Sequence, residues 1–145
     1  MSKTYIAANL RRMVFDRSNG ICEYCLIPES LALSAHQVDH IIAEKHGGQT
    51  IGDNLALSCS FCNQAKGSDV GSIDSETGDY VRLYHPRRDR WSEHFQLNGE
   101  TGEIIGESPI AKVTIRLLQM NRHTSVIERQ ILNQANAIAT PTLDH

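Results

Sequence analysis

No apolar run in this 145-residue chain approaches the eighteen or so residues that a bilayer-spanning helix needs, and the opening segment MSKTYIAANLRRMVF lacks the apolar stretch of a secretion signal. A soluble, cytoplasmic protein is the expectation, with no membrane partner. Positive charge is not in excess either: 14 Lys and Arg stand against 17 Asp and Glu, a net charge of -3. Attraction of the whole chain to a polyanion is therefore excluded, and any nucleic-acid site has to be local. Internal repeats and low-complexity tracts are missing as well, which sets aside repeat architectures. A chain of this length hides roughly 70% of its unfolded surface, enough for one modest core and not for two. Residues 1–145 are expected to fold as a single domain.

Cysteine is scarce, but its placement is informative. The four cysteines fall into two C-x-x-C pairs, Cys22 with Cys25 and Cys59 with Cys62. In a reducing compartment such pairs point to a metal before they point to disulfides. Four thiolates close a tetrahedral shell around one ion, so the expected metal is structural zinc with no open coordination position. A redox dithiol or four unrelated buried cysteines are the alternatives, and the paired spacing favours zinc over both.

Between the pairs, HQVDHII (residues 36–42) has β-branched residues and partial alternation, Gly47-Gly48 marks a hairpin turn or wider loop, and NLALS leads into the second pair. From Cys62, CNQAKGS starts as a helix that Gly67 stops. A zinc-stapled strand–strand–helix unit results. It carries Asp39 beside His40, then Asn54, then Asn63 directly after the last cysteine. The Asp39 carboxylate and the Asn63 amide oxygen are hard donors suited to Mg²⁺, which keeps several waters and a phosphate oxygen besides. His40 can take a proton from water attacking a phosphodiester, while the metal neutralises charge developing on the phosphate and the leaving 3′ oxygen. Asn54, able to donate and accept at once, ties the loop to backbone near His40. Consecutive strand residues point to opposite faces, so Asp39 and His40 share a site only if the strand ends or twists there.

These residues resemble the HNH endonucleases, whose ββα-metal motif is carried here by CEYC, VDHI, the Gly47-Gly48 pair, NLALSC and CNQAKG. The resemblance implies an α+β fold: a zinc-stapled ββα-metal core over about 20–68, an N-terminal helix, extra short antiparallel strands and C-terminal helices. It implies His40 as the general base, Asp39 as a ligand of the catalytic metal, Asn54 as the central asparagine, and Asn63 as the second ligand in an H-N-N variant. The implied activity is hydrolysis of DNA that leaves 5′ phosphate ends, with Mg²⁺ or Mn²⁺ as the catalytic cation. YHPRRDRWSEHF and the later Met120-Asn121 are similar to a subgroup of bacterial members, extending the likeness through a C-terminal extension of about 76–138.

The flanks are read from periodicity. Ile6, Leu10, Met13, Val14 and Arg17 recur at helical spacing over 6–17, with Ser18, Asn19 and Gly20 as the stop. DYVRLYHPRRDRW and HFQLNGETGEIIGESP alternate around turn signals at Asn98-Gly99 and Thr101-Gly102, so two or three short strands are expected. Ile110, Val113, Leu117 and Met120 mark one core-facing helix, and Val126, Ile127, Ile131, Leu132 and Ile138 another; from about Ala139 onward a frayed end is expected.

Charge is segregated along the chain. Asp69, Asp74, Glu76 and Asp79 have no base among them, whereas Arg82, Arg87, Arg88 and Arg90 face only Asp89. With His85, Trp91 and His94 nearby, Arg87, Arg88 and Arg90 form the candidate surface for gripping phosphates and stacking on a base, against a solvated charged loop as the alternative. Lys66 is either a phosphate contact or a helix-end cation. His36 and His46 are read as packing or surface residues, not ligands. The leading expectation is a metal-dependent DNA endonuclease. The alternatives are a catalytically inactive zinc-stabilised module that binds nucleic acid or protein, and thiol exchange through a C-x-x-C, which needs accessible low-pKa thiolates.

Overall fold

The computed structural model describes residues 4–138. Its helices and short antiparallel strands run in the order α1 (Ala8–Ser18), β1 (Gln37–His40), β2 (Leu55–Ser58), α2 (Ser60–Lys66), β3 (Gly71–Ile73), β4 (Tyr80–Arg82), α3 (Trp91–His94), β5 (Phe95–Leu97), β6 (Ile104–Gly106), α4 (Pro109–Leu118) and α5 (His123–Gln134). Among the described residues the strands pair as β1–β2, β3–β4 and β5–β6, three separate two-stranded ribbons. Such ribbons are marginal alone, so each has to lean on helices and on the cysteine cluster.

The first helix ends as its sequence requires. Asn19 turns left-handed at φ 55°, and the Asn19 and Gly20 amides close back on the Asp16 and Phe15 carbonyls. Val14 packs with Ile6, Leu55 and Leu57, so α1 covers one side of β2. Arg17, grouped above with the apolar stripe, instead donates to the Gly52 and Leu55 carbonyls at 3.2 and 2.8 Å.

β1 and β2 pair with Asp39 opposite Ala56 and His40 opposite Leu55. Glu23, inside the first cysteine pair, extends this ribbon: its amide donates to the Leu57 carbonyl and its carboxylate accepts from the Leu57 amide. Every residue of β2 is buried, because α1 lies on one side and the first cysteine turn on the other. The loop between the strands is wider than a tight hairpin. It holds two 3-10 turns, Glu44–His46 and Gly52–Asn54. A Cβ at Gly48 would sit 1.7 Å from the Ile42 carbonyl oxygen, so only glycine fits there.

Behind α2 lies the larger core, where Trp91, Phe95, Ile104, Val113, Leu118 and Met120 pack on the cysteines. The two or three short strands expected here are β4, β5 and β6, with Trp91 on a helical turn between the first two, and the partner of β4 is the unanticipated β3, whose residues Gly71, Ser72 and Ile73 are too few to show alternation. On α4 the fully buried stripe is Ala111, Val113, Thr114 and Leu118, with Ile110 and Leu117 only half-buried and Met120 beyond the helix end. The stretch from Ala139 lies outside the described residues.

The fifth helix departs furthest from its pattern. Ile127 and Ile131 are exposed, the latter at 57%, whereas Arg129 is completely buried. The reason is polar satisfaction. Arg129 donates to the carbonyls of Gly102 (2.6 Å), Cys25 (3.0 Å) and Met120 (2.8 Å) and to Asn121 Oδ1 (3.1 Å), which loops leave without strand partners. Val126 is half-buried and Leu132 buried, so one edge of the anticipated stripe does face inward.

Arg129→Leu keeps the volume but strips the donor from three buried carbonyls. At about 1–3 kcal/mol per orphaned group, a stability loss of about 3 kcal/mol or more is expected in urea unfolding. A loss below about 1 kcal/mol would show that water replaces the guanidinium.

Candidate active site and zinc centre

The four cysteine sulfurs lie within 4.8 Å of one another, and all four residues are buried. Each pair folds as a knuckle: the Cys25 amide points at Cys22 Sγ (3.5 Å) and the Cys62 amide at Cys59 Sγ (3.4 Å). Cys59 is also the N-cap of α2. Tetrahedral zinc with bonds near 2.3 Å spaces its sulfurs by about 3.8 Å, and Cys25 and Cys59 stand 3.6 Å apart. Burial pushes the Cys22 thiol well up, so four thiolates in this place require a cation. The donor set therefore fits structural zinc. Leu26 closes the first knuckle in a left-handed conformation, φ 72°, which costs about 1 kcal/mol or more outside glycine.

A second centre is built on the same ribbon. β1 ends at His40, which removes the pleat's constraint, and Asp39, His40 and Asn63 all line one cavity of about 300 Å³. Asp39 is held from two sides. Its Oδ2 accepts from the Tyr24 hydroxyl at 3.0 Å, and the Lys66 ammonium lies 3.3 and 3.1 Å from Oδ1 and Oδ2. Burial raises the Asp39 pKa, and Lys66 opposes that rise. Lys66 also donates to the His40 carbonyl at 3.1 Å, so one ammonium fixes both neighbours.

The His40 Nε2 is 2.9 Å from Thr50 Oγ1, which leaves Nδ1 without a partner among the described residues. Asn54 does not line the cavity. Its Oδ1 accepts from the Ile42 amide and its Nδ2 donates to the Ile42 and Gln49 carbonyls, each at 2.9 Å. Asn54 thus pins the residue next to Thr50, and Thr50 meets the imidazole. Asn63, in the first turn of α2, donates from Nδ2 to Gln37 Oε1.

Other candidates fall elsewhere. His36 borders the cavity but turns Nε2 to the Ile27 carbonyl at 2.8 Å, and His46 sits exposed on a 3-10 turn. Lys66 is only 2% exposed, a buried counter-ion and not a surface cation. Arg87 is likewise turned inward onto buried Glu23, and Arg82 grips Asp89 with two bonds of 2.7 and 2.9 Å. Trp91 is no stacking platform: its indole is buried and donates to the Tyr24 carbonyl at 3.0 Å. His85 is buried too, and burial lowers its pKa to about 4. Arg88 and Arg90 remain exposed. A larger hollow lined by Ile27, Leu33, Phe61 and Ile127 is mostly apolar, with Glu128 as its one charged residue, and offers no comparable chemistry.

Tyr24 and Thr50 were missed from sequence. Tyr24 is one of two residues inside the first knuckle, and Thr50 stands ten positions after His40 in a loop, where no spacing rule applies.

The family model described as HNH endonuclease matches residues 22–69. No curated protein and no solved structure matches the chain. Among the described residues no helix is long and apolar enough to cross a membrane.

The purified chain is expected to hold one zinc by elemental analysis. Cys59→Ser removes a zinc ligand while its hydroxyl can still cap α2, so zinc should be lost with about 3 kcal/mol or more of stability. Retained zinc at unchanged stability would exclude Cys59 from the shell.

Proposed function

We propose that this HNH domain hydrolyses DNA phosphodiester bonds, with His40 as general base and a divalent cation, Mg²⁺ or Mn²⁺, held by Asp39 and Asn63. The observation that supports this reading is the meeting of all three side chains at one cavity. Carboxylate and amide oxygens are the donors such cations take, and the cavity has room for a phosphate and its waters. The bound cation would supply neutralisation of charge on the scissile phosphate and the leaving 3′ oxygen.

The chain's own groups do the rest. With Nε2 engaged by Thr50, His40 presents Nδ1 to a water, and an unprotonated ring nitrogen there can accept the water's proton. Attack in line with the 3′ oxygen leaves a 5′ phosphate. Asn54 acts through the loop, and Thr50 through the imidazole, so both are positioning residues. Lys66 opposes the rise that burial imposes on the Asp39 pKa and holds the end of β1. Exposed Arg88 and Arg90 are the proposed contacts to flanking phosphates.

A second reading has one observation in its favour. Both Asp39 oxygens already face an ammonium, an arrangement that a non-catalytic zinc-stabilised binding module would also tolerate. Turnover separates the two. Supercoiled plasmid incubated with zinc-loaded protein and Mg²⁺ or Mn²⁺ should be nicked or linearised. His40→Ala should cut at least about 100-fold more slowly, with zinc content and thermal unfolding unchanged. Asn63→Ala should raise the Mg²⁺ concentration needed for half-maximal rate. Binding without cutting by the wild type would favour the module, and full activity of His40→Ala would remove that residue as base.

A further inference from the structure

We propose that Arg11 is a phosphate-binding residue of the cavity, gripping a backbone phosphate of the strand presented to His40; this assignment rests on the nuclease reading of that cavity. Arg11 reaches the cavity wall from α1, an element outside the segment that carries Asp39, His40 and Asn63. Its Nε donates to the Ile6 carbonyl at 3.0 Å, and Ile6 is itself buried against β2. The guanidinium is therefore held at one nitrogen while both Nη groups have no partner among the described residues. A planar fork anchored at Nε with its two outer nitrogens free suits the paired oxygens of a phosphodiester.

Charge around the cavity points to the same ligand. The one carboxylate in the lining, Asp39, is offset by Lys66. The histidines there, His36 and His40, are engaged at Nε2 by the Ile27 carbonyl and Thr50. Among the described lining residues that leaves Arg11 as the uncompensated charge, and it is positive, with the Glu44 carboxylate at the rim held on the Thr4 hydroxyl. The first turn of α1 adds no acid and has no side-chain cap, so its amide dipoles reinforce the same sign. The adjacent Arg12 makes the contrast: it faces another part of the surface with Asn9, Met13, Asp16 and Arg17. Arg17 and Arg87, the other arginines near this half of the fold, are spent on backbone carbonyls and on Glu23.

Binding of a fluorescent DNA duplex to zinc-loaded protein, followed by anisotropy over a salt series without divalent metal, tests the assignment. Arg11→Gln is expected to weaken binding about tenfold and to lower the slope of log affinity against log salt by about one. Arg12→Gln should move neither quantity. Arg11→Lys, which keeps the charge but not the fork, should keep the slope and recover only part of the affinity. With Mg²⁺ present, Arg11→Gln should also raise KM for plasmid cleavage more than it lowers kcat. An unchanged slope for Arg11→Gln, or an equal loss for Arg12→Gln, would overturn the proposal while leaving a cutting wild type in place. A wild type that never cuts would overturn the nuclease reading, and the anisotropy slopes would still decide whether Arg11 meets a phosphate.

Discussion

Four buried sulfurs within 4.8 Å of one another are the constraint on which the rest of the molecule depends. Among the described residues no sheet is wider than two strands, so no ribbon can organise the others. The cysteine cluster does so instead, through what its own residues touch. Cys59 starts α2, the Tyr24 hydroxyl reaches Asp39, the Tyr24 carbonyl receives Trp91, and the Cys25 carbonyl receives Arg129. One structural zinc would therefore hold the β1–β2 ribbon and the C-terminal layer to a common origin. Zinc binding on the order of 10 kcal/mol is comparable with the whole stability of an ordinary domain. A tetrathiolate around a dication would retain two negative charges, and the Arg129 guanidinium that the loop carbonyls draw inward would partly offset them.

The same rule of compensated burial shapes the second centre. An ionised carboxylate as buried as Asp39 is costly unless paired, and Lys66 with Tyr24 supplies the pairing. Lys66 does not depend on Asp39 alone, because the His40 carbonyl also accepts from it. Were a divalent cation to draw on the carboxylate, the ammonium would keep one partner and the end of β1 would keep its anchor. A buried lysine in this position is thus compatible with metal binding as well as with a resting ion pair.

How much of this was legible in the sequence follows from the range of each interaction. The cysteine cluster, and the meeting of Asp39, His40 and Asn63 at one cavity, were readable because a knuckle, a hairpin end and the first turn of a helix have fixed local geometry. Lys66, Arg87 and Trp91 looked like a nucleic-acid surface because their true partners lie 27, 64 and 67 residues away. On α5 the apolar spacing of Ile127 and Ile131 pointed inward, yet loop carbonyls with no strand partners demanded a donor, and Arg129 took the buried face. Periodicity registers apolar area and is blind to the acceptors that a neighbouring loop leaves open.

Net charge misleads for a related reason. The chain is acidic overall at -3, and Asp69, Asp74, Glu76 and Asp79 belong to the β3–β4 ribbon and its approach, which contributes nothing to the cavity lining. Several arginines are already spent internally, as Arg17, Arg87 and Arg129 show, and so add nothing to attraction at the surface. At physiological ionic strength a charge is felt over about 8 Å. A phosphate entering the cavity therefore meets Arg11 at contact range, and the chain's overall sign has little bearing on whether it is held.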